Sequence, residues 1–431
     1  MAVFFILQIN HRCQLINFST YLDSASASFQ MKISEANKLR ILYFLVFSCT
    51  ASWLPLFADY CKDKGLSGIQ IAIIISIVPL MMFLVQPFYG MLADRLGYKK
   101  CFLLSSLLAA LSYVFYLYDG GFVYLFVITV FMALFYNALQ PLLDSFSLKL
   151  VQSNPKFSYG TLRIAGAAGW ALTGIITGQL IDAINTTVIF VISATSMALV
   201  FIFSFSLKPD DKKISADSSQ SFKRVGEIFQ NKTLIFLLIC VFLISAGTSP
   251  IWYFYSIYMK ENGASASLVG YGLSFQGLCE LPMFYFSAKI IARLGIKTTL
   301  LVTVLASVIR MLLYASVKNP TAAIFIELLH GISWSLFWVV CVEYVNKLVR
   351  DDWRATGQSL LSAAYYGAGY IAGNLWTGYL RDTKMKVAEI FLLNAGIVGI
   401  VGLFIWLFMK KQKMETSLHW KMTADNTKTN D

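Results

Sequence analysis

Apolar residues run along this chain in long blocks, not in the alternating or helically spaced patterns of a soluble fold. Blocks fall at 40–60, 69–93, 101–118, 122–148, 161–181, 187–207, 233–259, 267–291, 298–317, 321–347, 356–380 and 388–409, each closed by charged or turn-forming residues. A helix needs about 20 residues to cross a hydrocarbon core of about 30 Å, so the pattern predicts an all-α integral membrane protein with twelve transmembrane helices. The joining loops are short, except for 208–232, which is polar and carries Lys208, Lys212, Lys213, Lys223, Arg224 and Lys232. This spacing predicts two six-helix bundles, at 31–207 and 233–410, joined by a linker at 208–232 and followed by a tail at 411–431. Residues 1–30 fit the pattern badly. MAVFFILQI is apolar but too short to span, and no basic residue precedes it, which argues against a cleaved signal peptide. We expect 1–30 to be an N-terminal extension outside the fold, with Met31 opening a segment that resembles a cytoplasmic start before a first span.

Composition agrees with a membrane origin: 57% of the residues are hydrophobic and 13% charged, which excludes an ordinary soluble domain. The formal net charge of +12 could suggest nucleic acid, but such a footprint needs basic residues clustered on one polar surface. Here they sit in short loops, mostly on the side of the N-terminal segment, the linker and the tail. By the positive-inside rule both termini are expected in the cytoplasm, with the protein in the cell membrane; the loop with Arg381, Lys384 and Lys386 runs against the trend. The seven cysteines form no CxxC pair, which argues against a disulfide framework or a zinc site. No nucleophile elbow, HExxH, P-loop or dinucleotide fingerprint stands where a strand-to-helix turn could hold it. Neither an enzyme nor a bound metal or organic cofactor is expected, and a monomer in the bilayer is.

A repeat supports the two halves. Arg95-Leu96-Gly97-Tyr98-Lys99 recurs as Arg293-Leu294-Gly295-Ile296-Lys297, Gly178-x-Leu180-x-Asp182 recurs as Gly378-x-Leu380-x-Asp382, and Asp144 and Glu343 are separated by nearly the same interval. Transporters built from repeats place solute near the midplane and alternate access by rocking one half against the other.

Charges inside spans are the informative residues, because each costs roughly 2.5–3.5 kcal/mol at a helix centre and is normally turned inward and paired. They are Asp144 and Arg163 in the first half, and Glu280, Arg310 and Glu327 in the second, with His330 beside them. Glu327 and His330 share a helical face, where a proton could be shared. With His330 neutral, protonating Glu327 brings the second set from one net negative charge to zero, as a carrier crossing a low-dielectric barrier requires. The competing readings are a structural ion pair of Glu280 with Arg310, a core-satisfied His330, and helix-end tethers at Asp144 and Arg163. Trp170 lies two turns beyond Arg163 on one face, so its indole could form a flat platform for the CH-rich face of a sugar. Gly160, Gly166, Gly169, Gly174 and Gly178 suggest close packing of the fifth span.

At Gly90-Met91-Leu92-Ala93-Asp94-Arg95-Leu96-Gly97-Tyr98-Lys99-Lys100 the sequence resembles the loop signature of the major facilitator superfamily. The resemblance implies that Gly90 and Gly97 permit a tight turn and close helix contact there, and that Asp94 and Arg95 belong with them to a cytoplasmic conformational gate. Gln86-Pro87-Phe88-Tyr89-Gly90, Asn137-Ala138-x-x-Pro141-x-x-Asp144 and Tyr159-Gly160-x-x-Arg163-x-x-Gly166-x-x-Gly169-Trp170-Ala171-Leu172 narrow the likeness to the lactose-permease type of oligosaccharide:proton symporter. The resemblance runs from about Leu42 to about Asp382. It implies that Asp144 and Arg163 bind sugar hydroxyls, that Asn137 adds a hydrogen bond, and that Trp170 stacks on the ring. It further implies that Glu280 coordinates sugar, that Arg310 aids proton release, and that His330 joins the sugar and proton sites. The family's proton-carrying Glu, one turn after the His, is Ser333 here, and a Lys one turn before it is Glu327. Asp144 is one methylene shorter than the family Glu, and the charge pair between the seventh and eleventh helices is missing on both sides. The expected function is proton-coupled import of a sugar or oligosaccharide, with Glu327 as coupling carboxylate. A nucleoside or small aromatic acid as solute, or a proton-independent sugar facilitator, are the alternatives.

Overall fold

The apolar blocks open on residues suited to capping a helix and close at glycines or polar turns. In a computed structural model of the chain, residues 33–154, 156–208, 231–350 and 353–409 are described, and among these all regular structure is helical. The extension at 1–30, the 411–431 tail and all but the ends of the 208–232 linker lie outside the described residues. So do the side chains of 86, 87, 90, 91, 94, 95 and 355.

Helix α1 (Glu35–Trp53) starts at Ser34, whose hydroxyl accepts from the Asn37 amide, and a 3-10 turn at Leu54–Leu56 joins it to α2 (Phe57–Asp63). Ser67 and Gln70 form a reciprocal capping box ahead of α3 (Gly68–Leu96), which satisfies two orphan amides at once. Then come α4 (Tyr98–Phe115) and α5 (Gly121–Ser153), the latter with Pro141 in its interior. A second capping box, Ser158 with Thr161, opens α6 (Tyr159–Ala183), and α7 (Val188–Ser204) follows. The second series begins with α8 (Lys232–Tyr253), which breaks shortly after Pro250 into α9 (Tyr255–Glu261). Next are α10 (Ala266–Leu294) and α11 (Ile296–Ser316). The tenth block is one rod in four pieces: α12 (Pro320–Phe325), a 3-10 turn (Ile326–Leu329), a π segment (Gly331–Leu336) and α13 (Phe337–Leu348). The eleventh is α14 (Arg354–Ser362), a π segment (Ala363–Gly369) and α15 (Tyr370–Asp382), and the last is α16 (Val387–Phe408).

Each predicted block therefore coincides with a helical rod. Among the described residues nine rods are long and apolar enough to cross a membrane. Helix α7 is shorter, at 17 residues, and α10 and the α14–α15 rod carry more polar residues. Length and apolarity thus select nine of the twelve expected spans.

The chain divides into two compact units. One holds the described residues up to 208 together with Tyr253–Lys260 and Ala264–Ser274, so its packing boundary departs from the chain boundary expected at the linker. Within it α6 lies directly on α1: a Cβ at Gly169 would collide with the Phe44 carbonyl oxygen, and one at Gly166 with the Phe47 ring. Further along α6, Gly174 abuts Gly270 and Ser274, and Gly178 abuts the Ala266 backbone. Gly160 has nothing within 4 Å of its would-be Cβ, so the close packing expected of this glycine series excludes its first member. The Asp182 carboxylate accepts the backbone amides of Ala266 and Ser267, each at 2.8 Å, and caps α10. Buried Asp59 pairs with Lys260. Tyr116 stacks on Phe190 with ring centres 4.4 Å apart, next to Phe57 and Tyr60, in the core of this unit.

The other unit holds 231–252, Glu261–Gly263 and the described residues from Phe275 onward. Its helices approach through small residues as well: Gly373 meets the Ala246 carbonyl, and Gly331 meets that of Cys279.

The sequence repeat has one structural meaning in both units. Gly97 (φ +92°) and Gly295 (φ +78°) make the turns between α3 and α4 and between α10 and α11, in a region that L side chains rarely adopt. Two residues on, Lys99 donates to the Phe205 carbonyl at 2.8 Å and Lys297 to the Trp406 carbonyl at 2.7 Å. Each lysine thus places a positive charge and a donor at the C-terminal end of the last helix of its own series.

Candidate functional site

Two polar clusters stand inside the spans, one in each unit. In the first, Asp144 on α5 accepts hydrogen bonds from two phenols, Tyr43 on α1 at 2.6 Å and Tyr159 on α6 at 2.9 Å, both ending on Oδ1. Arg163, one turn after Tyr159, donates from Nη1 to the Tyr159 hydroxyl at 2.9 Å. Its guanidinium also lies over the rings of Phe47 and Tyr159, 5.6 and 5.8 Å from their centres, within cation–π range. The acid and the base are therefore joined through the Tyr159 hydroxyl. Asn137 donates its amide to the Val78 carbonyl of α3 at 3.0 Å, which ties α5 to α3. Trp170 is half-buried, two turns beyond Arg163 on α6.

The second cluster is the more deeply buried: Arg310 is 2% exposed, Glu327 1% and His330 0%. Arg310 on α11 pairs through Nη2 with Glu327, and Tyr314, one turn on, donates to the other carboxylate oxygen. The Arg310 Nη1 donates to His330 Nδ1 at 2.8 Å and reaches Ser333 Oγ at 3.4 Å. Gln276 on α10 also meets Nδ1, at 3.0 Å. A guanidinium can only donate, so Nδ1 is an acceptor and His330 is neutral, with its proton on Nε2. That nitrogen donates to Glu280 Oε1 on α10 at 2.9 Å. The imidazole lies nearly parallel to Trp334, centres 5.6 Å apart, and edge-on to Trp252 at 5.2 Å.

Between Glu327 and His330 stands Arg310, which bonds to both. Arg310 makes an ion pair with Glu327, and Glu280 meets His330. The local helix explains this geometry. The 3-10 turn at Ile326–Leu329 and the π segment that follows rotate successive side chains away from α-helical positions, and Gly331 lets α10 approach to bring Glu280 and Gln276 to the imidazole.

Of the residues expected to form a gate, Gly90, Asp94 and Arg95 lie on the last turns of α3, and their side chains are outside the described residues; Gly97 forms the turn described above. Sequence reasoning did not assign roles to Tyr43, Phe47, Tyr159, Gln276, Tyr314, Trp252 or Trp334. Three of them carried a signal, since Tyr159, Gln276 and Tyr314 each stand four positions from a charged residue already singled out, hence on its face of the helix.

Residues 36–393 match a protein family described as the MFS_1 like family. The maltose permease of Geobacillus stearothermophilus is 27% identical over 375 residues, which covers 86% of this chain and 94% of that protein. The sucrose permease of Escherichia coli is 26% identical over 393 residues, covering 86% of this chain and 92% of the permease. In fold, the chain is similar to the crystal structure of the nucleoside transporter NupG, with a TM-score of 0.78 at 18% identity over 88% of this chain and 100% of that one.

Proposed function

The chain belongs to the MFS_1 like family, and from that premise we propose that it is a twelve-helix secondary transporter of the cell membrane that imports a sugar or oligosaccharide together with a proton by alternating access. Multi-pass membrane architecture and relatives named as sugar permeases support the reading. The observation that carries it is the chain of contacts Glu280–His330–Arg310–Glu327, a buried acid–base relay in which one end holds a partly exposed carboxylate and the other a sealed one. Solute hydroxyls compete with His330 Nε2 for Glu280, and a proton on Glu327 releases the guanidinium to Nδ1 and Ser333. With Glu327 protonated, the set of two carboxylates and one guanidinium carries no net charge, which lowers the cost of its reorganisation away from water.

In the first unit Asp144 and Arg163 act on solute hydroxyls, with Trp170 as a ring platform and Asn137 holding α5 in place. The end of α3 with Gly90, Asp94 and Arg95 and the turn at Gly97 serve as the cytoplasmic gate, both termini are cytoplasmic, and the proton is the coupling ion, with no metal or organic cofactor. The protein acts as a monomer.

The test is external pH in energy-depleted cells that express the chain, with sugars, nucleosides and phenyl acids added singly. Alkalinisation on adding a sugar is the expected result. Alkalinisation confined to nucleosides or phenyl acids replaces the solute in this reading. The presence of Ser333 where a proton-carrying Glu is expected favours one further reading, a proton-independent sugar facilitator. That reading is supported by counterflow of labelled sugar without any pH change.

A further inference from the structure

The Tyr159 hydroxyl takes both roles that a sugar hydroxyl would take at the same place. It accepts from Arg163 Nη1 and donates to Asp144 Oδ1, at 2.9 Å each. Taking Asp144 and Arg163 as solute-binding residues, as in the function proposed above, we propose that the Tyr159 phenol is an internal stand-in for the solute. It bridges Arg163 and Asp144, and a hydroxyl of the incoming solute displaces it.

The stand-in reports the chemistry that the site accepts. One oxygen must accept from a guanidinium and donate to a carboxylate, and a neutral hydroxyl does both. A carboxylate cannot donate and is repelled by Asp144. An ammonium cannot accept from Arg163, and an ether or ketone has no proton for Asp144. The geometry thus selects neutral polyhydroxylated solutes over small aromatic acids.

The two phenols on Asp144 are not equivalent. Tyr43 is 0% exposed and holds Oδ1 from inside the unit, on the buried face of α1. Tyr159 is half-buried and is the first residue of α6, just after the Ser158 cap. Its departure leaves Arg163 still lying over the Phe47 ring, so the guanidinium keeps its position while its partner changes. Tyr43 therefore belongs to the frame of the site and Tyr159 to its occupant. Because the solute replaces bonds that already exist, part of its binding strength is spent on expelling the phenol.

The experiment is equilibrium binding to the purified full-length chain, with maltose, sucrose, uridine and 3-phenylpropionate as probes, for the unmodified protein, Tyr159→Phe and Tyr43→Phe. Phenylalanine keeps the ring over Arg163 and removes only the competing hydroxyl; a thermal melt confirms the fold. Tyr159→Phe should bind the sugar about 3- to 10-fold more tightly, the equivalent of one net hydrogen bond. Tyr43→Phe should bring no tightening. Equal or weaker sugar binding by Tyr159→Phe overturns the proposal, as does tightening of the same size in both variants. If uridine binds and neither sugar does, the sugar reading fails, and tightening of uridine by Tyr159→Phe still supports the stand-in through the ribose hydroxyls. Saturable binding of 3-phenylpropionate alone, or of no hydroxyl-bearing probe, overturns it.

Discussion

Besides His330, Arg310 reaches two further positions of the tenth rod, with Nη2 on Glu327 and Nη1 3.4 Å from Ser333 Oγ. A carboxylate at either position would meet the same guanidinium, so one at 327 keeps the charge partner that one at 333 would have and differs only in the side of His330 from which it approaches. Glu327→Gln should abolish uphill accumulation while leaving solute exchange intact. Adding Ser333→Glu to that variant should restore part of the accumulation. Unchanged accumulation in Glu327→Gln, measured with labelled solute in energised cells, would sink the assignment. The acid–base residues themselves were legible because charge inside an apolar block has few explanations. Their partners were less so. Tyr159, Gln276 and Tyr314 could be found by helical spacing, whereas Tyr43 reaches Asp144 across 101 positions of sequence and is known only from the packing of α1 against α5.

At the scale of helices, the apolar blocks marked where helical rods stand, nine of them long and apolar enough to cross a membrane, since burying backbone polar groups in lipid leaves the helix as the available form for such blocks. Interruptions were not legible. The π segments at Gly331–Leu336 and Ala363–Gly369 contain no proline; they arise where small residues let a neighbouring helix press in, as Gly331 does against Cys279 and Gly369 against Ser245. Pro141, by contrast, stays within a continuous α5. Close approach has a measurable cost when it is blocked. Gly169→Ala sets a methyl against the Phe44 carbonyl, and should lower stability by about 1–3 kcal/mol, the usual range for overpacking. Gly160→Ala, with nothing within 4 Å, should be close to neutral. Thermal melts of the two variants in one detergent check both, and equal losses would mean that α6 does not rest on α1 at Gly169.

For the whole molecule, the recurring motif was readable in the sequence, and its role lies in the packing: Gly97 with Lys99, and Gly295 with Lys297, turn the chain and close the last helix of each series. The boundary between the halves was read from the polar linker, a feature of covalent order, whereas packing assigns Tyr253–Lys260 and Ala264–Ser274 to the first unit. This matters for anyone who cuts the chain. A fragment that ends within 209–230 would carry Asp182 without the two amides it caps, Asp59 without Lys260, and the flat glycine surface of α6 without its cover. Expressed alone, such a fragment should be degraded, and co-expression with the remaining piece should protect it, as immunoblots of membranes would reveal. Under complementation the first polypeptide would then depend on the second for part of its own interior, Tyr253–Lys260 and Ala264–Ser274.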